Sequence, residues 1–272
     1  MSIDETSLSH GELYTIVTNK AAKGRKGAIV AIIAGTKAET VVEVLQRIPE
    51  KHRKKVTEIT LDMAGNMSLI ARRCFRSAVQ VTDRFHVQKL ATEALQEMRI
   101  KYRWEAMDIE NDASDLAKKA KLSFRAEVLP NGDTLKQLLA RSRYVLYKRP
   151  NNWSAQQKER ADLLFERYPK LKQAYNLSMN LSNIFEHTTD KLYGLARLAK
   201  WHEAVRQSGF KSFNTISRSI QHHYETILNY FDNRSTNASA ESFNAKIKAF
   251  RSQFRGVRNI EFFLYRLTQM YA

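Results

Sequence analysis

Asp4, Asp62, Asp83 and Glu241 stand where elements begin or end, in a chain whose 45 lysines and arginines outnumber its 28 aspartates and glutamates. Asp4 falls inside the first apolar run, Asp62 closes TEITLD, Asp83 closes VQVTD, and Glu241 opens the helical pattern of NASAESFNAKIKAF. Carboxylates on neighbouring strands can converge on one hard cation, because Mg²⁺ and Mn²⁺ take oxygen ligands and often bind through a few carboxylates plus waters and substrate phosphates. Two such ions about 3.5–4 Å apart would activate an attacking oxygen and stabilise a leaving one in phosphoryl transfer. Each acid also has a plain structural use. Asp4 can serve a hairpin, Asp62 can cap the helix after MAGN, and Asp83 can cap the helix starting near Phe85. Glu241 can complement a helix dipole, with Ser239 or Asn237 as the cap. Asp83 competes with Asp62 for the same chemical role.

The helix after Glu241 sorts by period. Phe243, Ile247, Phe250 and Phe254 follow steps of four, three and four and form a core stripe. Glu241, Asn244 and Lys248 share another face, so a carboxylate and an amide stand side by side. Lys246, Lys248, Arg251, Arg255 and Arg258 offer charge to phosphates, or form an ordinary solvated face.

The formal charge of +17 and pI near 9.9 favour a polyanionic partner, since each phosphate neutralised releases condensed counterions. Nucleic acid fits first. An anionic membrane fits poorly: no run of about 18 apolar residues occurs, and MSIDETSLSHGE lacks an apolar signal core. The expectation is a soluble, cytoplasmic, nucleoid-associated protein. A single cysteine, Cys74, excludes an intrachain disulfide and a Cys-rich zinc module, and reads as a small apolar helix residue. No Ser/His/Asp or Cys/His constellation stands out, whereas 11 tyrosines leave a tyrosine nucleophile open. Tyr102, Trp104, Trp153 and Trp201 lie among basic residues and suit helix packing better than stacking on unpaired bases.

The elements that must position the acids follow from patterning. Ile3–Leu8 and Leu13–Thr18 flank SHGE as a hairpin, and AIVAIIA reads as a strand buried on both faces. TKAETVVEVLQRI puts Val41, Val42, Leu45 and Ile48 on one side of a helix; TEITLD, NMSLIARRCF and AVQVTD then read as strand, helix and strand. The order β-β-β-α-β-α-β is an α/β class with three antiparallel strands and two parallel additions, which puts strand four beside strand one. From Phe85 onward the apolar residues recur at helical spacing, with breaks at LPNGD, KRPNNWS and YPK.

In combination, IDETSLSHGELYTIV, ITLDMAGNMSLIARRCF, VTDRFHVQKL and STNASAESFNAKIKAFRSQFRGVRN closely resemble the DDE transposases of bacterial insertion sequences, in the branch called the ISL3 type. The resemblance runs from Ile3 to the C-terminus. It implies a ribonuclease-H-like mixed five-stranded sheet with a large all-helical insertion. Residues 1–84 would hold the strands, 85–234 the helical region, and 235–272 the helices completing the catalytic domain. It implies a metal-binding triad on Asp4, Asp62 and Glu241, served by Mg²⁺ or Mn²⁺, two ions in all. Asp83 and His86 match the family's D-R-F-H element; His86 reads as a hydrogen-bonding histidine near the site before a metal ligand. The implied activity is transposon-end cleavage by an activated water, then attack of the freed 3′ hydroxyl on target DNA. The implied partners are double-stranded DNA, as ends and target, and a second copy of the chain in a dimer or higher oligomer on DNA. Members commonly carry a zinc-ribbon and helix-turn-helix region before the first acid. Here that function is expected from a separate N-terminal recognition protein, or is missing. Two alternatives remain on sequence grounds: a catalytically inactive, domesticated DNA-binding derivative, and a ribonuclease-H-like nuclease.

Overall fold

A computed structural model describes residues 1–7, 13–253 and 259–272, with Ser239 described in its backbone only. Five strands form one mixed sheet in the order β3-β2-β1-β4-β5. They are β1 (Ser2–Ser7), β2 (Leu13–Thr18), β3 (Ile29–Ala34), β4 (Glu58–Leu61) and β5 (Val79–Thr82). β1 pairs antiparallel with β2, as β2 does with β3, whereas β4 lies parallel to both β1 and β5. The link SHGE and Leu8 lie outside the described residues.

Helix α1 (Ala38–Gln46) connects β3 to β4, followed by the single turn α2 (Glu50–Arg53); α3 (Gly65–Cys74) connects β4 to β5. The expected stripe is inward: Val41, Val42 and Leu45 are buried with Ile3, Val17, Ile59, Leu61, Met67 and Ile70, and Ile48 packs at the margin. Each fully buried Val, Leu or Ile contributes roughly 1.5–3 kcal/mol of transfer free energy. Cys74 belongs to this core, its thiol facing the Val42 carbonyl oxygen.

Period-two alternation along β1 decides what happens next. Ile3 points into that core, so Asp4 takes the opposite face, where its register partner Ile16 packs with Tyr14, Ile29, Phe243, Ile247, Phe263 and Leu267. This second core is closed by α12 (Ala238–Gln253) and α13 (Ile260–Tyr271). Phe243 and Ile247 are buried as the stripe requires, Phe250 stands 5.6 Å from the Phe263 ring, and Phe254 lies outside the described residues.

The other helices are α4 (Arg84–Lys119), α5 (Leu135–Arg141), α6 (Ala155–Arg167), α7 (Pro169–His187), α8 (Lys191–Ser208), α9 (Lys211–His222), α10 (Tyr224–Leu228) and α11 (Tyr230–Asn233). The chain divides into a sheet unit of residues 1–87, 189–191 and 222–272, and a helical unit of residues 88–188 and 192–221. Residues 222–234, placed with the helical region by their pattern, therefore group with the sheet. The reason is local. β5 is an edge strand with unpaired backbone groups. Asn229 donates its side-chain amide to the Gln80 carbonyl at 2.8 Å, and Thr226 meets Thr82 hydroxyl to hydroxyl at 2.8 Å.

Within the helical unit, Trp153, Phe165 and Tyr175 pack with ring centroids 5.2–6.3 Å apart, and Trp201 donates its indole N–H to the Leu177 carbonyl. Tyr102 packs on Tyr168 at 4.8 Å, while Trp104 is 59% exposed. Asp133 is a buried acid of this unit, bonded to Arg141 and to Arg160 Nε. Burial alone would raise its carboxyl, but the hydrogen bonds and charges of Arg160 and Arg141 outweigh it and hold the group below its ordinary value. Removing one partner of such a cluster strands the others. Asp133→Ala is therefore expected to cost about 3–5 kcal/mol in denaturant unfolding. The wild-type contribution is present above the unfolded carboxylate pKa and lost as pH falls through the lower folded value, so the gap between variant and wild type closes in acid.

Candidate active site

Three strands and one helix deliver acids to the α12 side of the sheet. Asp4 sits mid-strand in β1. Asp62 and Asp83 follow the last residues of the parallel neighbours β4 and β5, the carboxyl ends where open α/β sheets place their ligands. Glu241 lies in the first turn of α12, its backbone N–H bonded to the Asn237 carbonyl at 2.8 Å.

The structural uses read from the sequence are partly real, and they leave capacity over. Asp62 Oδ1 accepts from the Ala64 N–H at 2.9 Å, an Asx turn leading into α3. Asp83 Oδ1 accepts from the Phe85 N–H at 3.3 Å, as a cap for α4 should. Its other oxygen, Oδ2, is buried without a hydrogen-bond partner, although Asp83 is only 1% exposed. Asp4 Oδ1 accepts from the Glu5 N–H at 2.9 Å, and Oδ2 from Asn244 Nδ2 at 2.6 Å. Asn237 does not act as a side-chain cap: both of its amide atoms are buried without partners.

Asp83, His86 and Glu241 bring one ligand atom each to within 4.8 Å of one another, and they are the group of metal-binding types that does so among the described residues. Asp83 and His86 are three residues apart across the first turn of α4, which puts both on one side of it. Asp4 and Asp62 stand outside this trio, and Asp4 lies inside its field. Burial raises the Asp4 carboxyl, the Glu5 N–H and the charge of His86 oppose this, and Asp62 and Asp83 add to it. Burial likewise raises Glu241, with Asp83 and Asp4 adding and His86 opposing. Asn244 ties α12 to β1 and leaves its own Oδ1 buried and unpartnered.

A divalent cation fits this chemistry. The groups are carboxylate oxygens with one imidazole, and Asp83 Oδ2 and Asn244 Oδ1 are buried without partners, a costly condition unless a ligand completes them.

His223, just before α10, was not legible in the sequence. Burial and the charge of His222 lower its pKa, while Asp62 opposes the shift, so an imidazole stands near that acid. HHYE carries no periodic or capping signal that would have singled it out. The clustering of Asp83 with His86 and Glu241 did have a signal, the three-residue spacing in DRFH.

Of the basic residues on α12, Lys246 and Lys248 are exposed, and Lys246 Nζ lies against the turn at Gly24 in AAKGRKG. A β-carbon at Gly24 would come within 3.3 Å of that ammonium, and its φ of +71° also suits glycine. Arg251 is half-buried with its guanidinium 5.2 Å from the Phe263 ring centroid. Arg255 and Arg258 lie outside the described residues.

The transposase family of the ISL3 DDE type matches residues 1–267 of the sequence. The chain belongs to the ISL3-type DDE transposases. The transposase for insertion sequence element IS1557 of Mycobacterium tuberculosis is 24% identical over 255 residues, 91% of this chain and 54% of that protein. The transposase for insertion sequence element IS1001 of Bordetella parapertussis is 22% identical over 271 residues, 98% of this chain and 59% of that protein. The chain thus spans little more than half the length of these relatives. Membership agrees with the ribonuclease-H-like order of the sheet and implies use of a divalent metal. No helix among the described residues is long and apolar enough to cross a membrane.

Proposed function

We propose that this chain is the catalytic part of a transposase that cleaves transposon ends and joins the freed 3′ hydroxyls to target DNA, with Asp4, Asp62 and Glu241 as its acids. The observation that carries the reading is the convergence of acids from β1, β4, β5 and α12 on one side of the sheet, with a buried carboxylate oxygen left unpartnered among them. Mg²⁺ or Mn²⁺, two ions in all, would activate the attacking oxygen and neutralise charge on the leaving one.

The chain's own residues do the rest. Asp4, Asp62 and Glu241 would hold the cations through their carboxylate oxygens. Asp83 and His86 are accessory: Asp83 anchors α4 through its Oδ1 and stands in one trio with His86 and Glu241, where the charge of His86 opposes the raising of the Glu241 carboxyl. Asn244 orients Asp4. Lys246, Lys248 and Arg251, with Arg255 and Arg258, meet DNA phosphates. A dimer or higher oligomer on double-stranded DNA brings two ends together.

The test is supercoiled plasmid bearing the element's ends, incubated with the chain in Mn²⁺ or Mg²⁺ and in EDTA. Nicking that needs metal supports the reading; salt-sensitive binding with no cleavage in either metal overturns it in favour of a non-catalytic DNA-binding protein.

A further inference from the structure

The helical unit carries aromatic residues of two kinds. Trp153, Tyr175 and Trp201 are packed and hydrogen-bonded inward, whereas Tyr144 and Tyr147 are 66% and 45% exposed. The exposed pair lies in RSRYVLYKR, a succession of turns directly after α5. Its backbone bonds run from Leu146 N–H to the Ser142 carbonyl and from Lys148 N–H to the Val145 carbonyl, so it winds helically. Residues three apart in such a winding face the same way, which puts the two tyrosines on one side. Ser142, Val145 and Leu146 are buried beneath them.

The segment is held from below with unusual completeness. The Leu139 carbonyl accepts from Arg99 at 2.8 Å, the Arg143 carbonyl from Gln96 at 3.1 Å, the Val145 carbonyl from Trp153 at 2.9 Å, and the Lys148 carbonyl from Tyr175 at 2.7 Å. The tyrosines therefore stand on a fixed support, so little ordering cost remains for a ligand that meets them. Positive charge surrounds them. The Arg143 guanidinium lies 5.6 Å from the Tyr144 ring centroid, Lys148 is exposed beside Tyr147, and Arg103 and Arg143 are near enough to Arg99 to add to the lowering of its pKa by burial.

We infer that Tyr144 and Tyr147, with Arg143 and Lys148, form a platform on which unpaired nucleotides of single-stranded DNA stack while their phosphates meet the basic groups. Every base has a π-face, so stacking tolerates any sequence, and cations beside the rings match the phosphodiester charge. A second protein is the weaker occupant, because the patch is strongly cationic in a chain already at +17. The inference rests on the reading that the chain handles DNA. It adds that the helical unit holds a strand with unpaired bases, as arises where duplex ends are opened.

The test is fluorescence anisotropy with a labelled oligothymidylate and, separately, a labelled blunt duplex, using the full chain. Tyr144→Ala and Tyr147→Ala should each weaken oligothymidylate binding about tenfold, from the loss of one stacking contact. Tyr144→Phe and Tyr147→Phe should restore it, and duplex binding should stay unchanged. Unaltered oligothymidylate binding by both alanine variants overturns the platform while leaving the catalytic proposal in place. Loss of self-association in sedimentation, with oligonucleotide binding intact, assigns the patch to a second copy and overturns it too. A wild-type chain that binds neither oligonucleotide sinks both readings. Circular dichroism melts of the variants establish that they are folded.

Discussion

Asp62→Asn and Glu241→Gln are each expected to lower metal-dependent strand cleavage roughly a thousandfold while duplex binding stays within about twofold. Both substitutions keep shape and remove one negative charge. Asp62→Asn retains an oxygen for the Ala64 N–H, so the turn into α3 survives. Glu241 makes its helix contact through its backbone, which Glu241→Gln does not touch. What is lost is cation affinity, which manganese titration followed by electron paramagnetic resonance would read directly. Asp83→Asn is the informative companion. Asp83 stands with Glu241 in the trio that both form with His86, one ligand atom of each lying within 4.8 Å of the others. If it acts through Glu241, its amide should cost about ten- to a hundredfold, the usual scale for a group supporting a metal ligand. Full loss with Asp83→Asn and near-normal cleavage with Asp62→Asn would move the triad from Asp62 to Asp83.

The competition between those two acids shows what the sequence could and could not convey. Strand order was legible because period-two runs and helical stripes are dictated by burial, and a parallel crossover leaves few topologies. Glu241, Asn244 and Lys248 were legible as one helix face, and Asn244 does reach Asp4 from it. Side-chain convergence across strands was not legible. Whether Asp62 or Asp83 comes nearer to Glu241 depends on the seating of α12 over β1, set by packing among Phe243, Ile247, Phe263 and Ile16. No local pattern encodes that distance. The same holds for residues 222–234: their spacing is helical in either unit, and only the open edge of β5 decides where they pack. Arg251 illustrates a third limit, since charge patterning marked it for phosphate without revealing the Phe263 ring beneath it.

Replacing Asn244 by Ala should act through Asp4. Among the described residues, the 2.6 Å bond from Nδ2 is the side-chain donor that this half-buried carboxylate receives, and its loss leaves the Glu5 N–H on the other oxygen. A hydrogen bond to a charged group is worth about 1.5–3 kcal/mol, so the variant should unfold at lower denaturant by an amount of that order. A merely structural role would end there. A positioning role also moves the pH profile: Asp4 is already raised by burial, and removing a donor to its ionised form raises it further. The acid limb of metal-dependent cleavage should therefore shift to higher pH in Asn244→Ala. Asn244→Asp would set a second negative charge against Asp4 and shift it more.

The linkage has a definite sign. A carboxyl whose folded pKa lies above its unfolded value contributes stability that is fully present below the unfolded pKa and lost as pH rises through the folded one. Without metal, Asp4 and Glu241 thus weaken the fold at neutral pH, and the cost recedes as pH falls toward the ordinary carboxylate range. Asp4→Asn should raise the melting temperature in EDTA at neutral pH, on the order of 1 kcal/mol, the usual scale where a functional site trades stability for activity. Its amide can be met by the Asn244 Oδ1 that now lacks a partner, once the Asn244 amide turns over. The gain should vanish on acidification, because the wild-type carboxyl is then protonated, and should reverse in Mg²⁺, which stabilises only the chain that binds it. If Asp4→Asn and wild type melt alike in EDTA across this range, Asp4 is not under the charge strain that a shared cation would relieve.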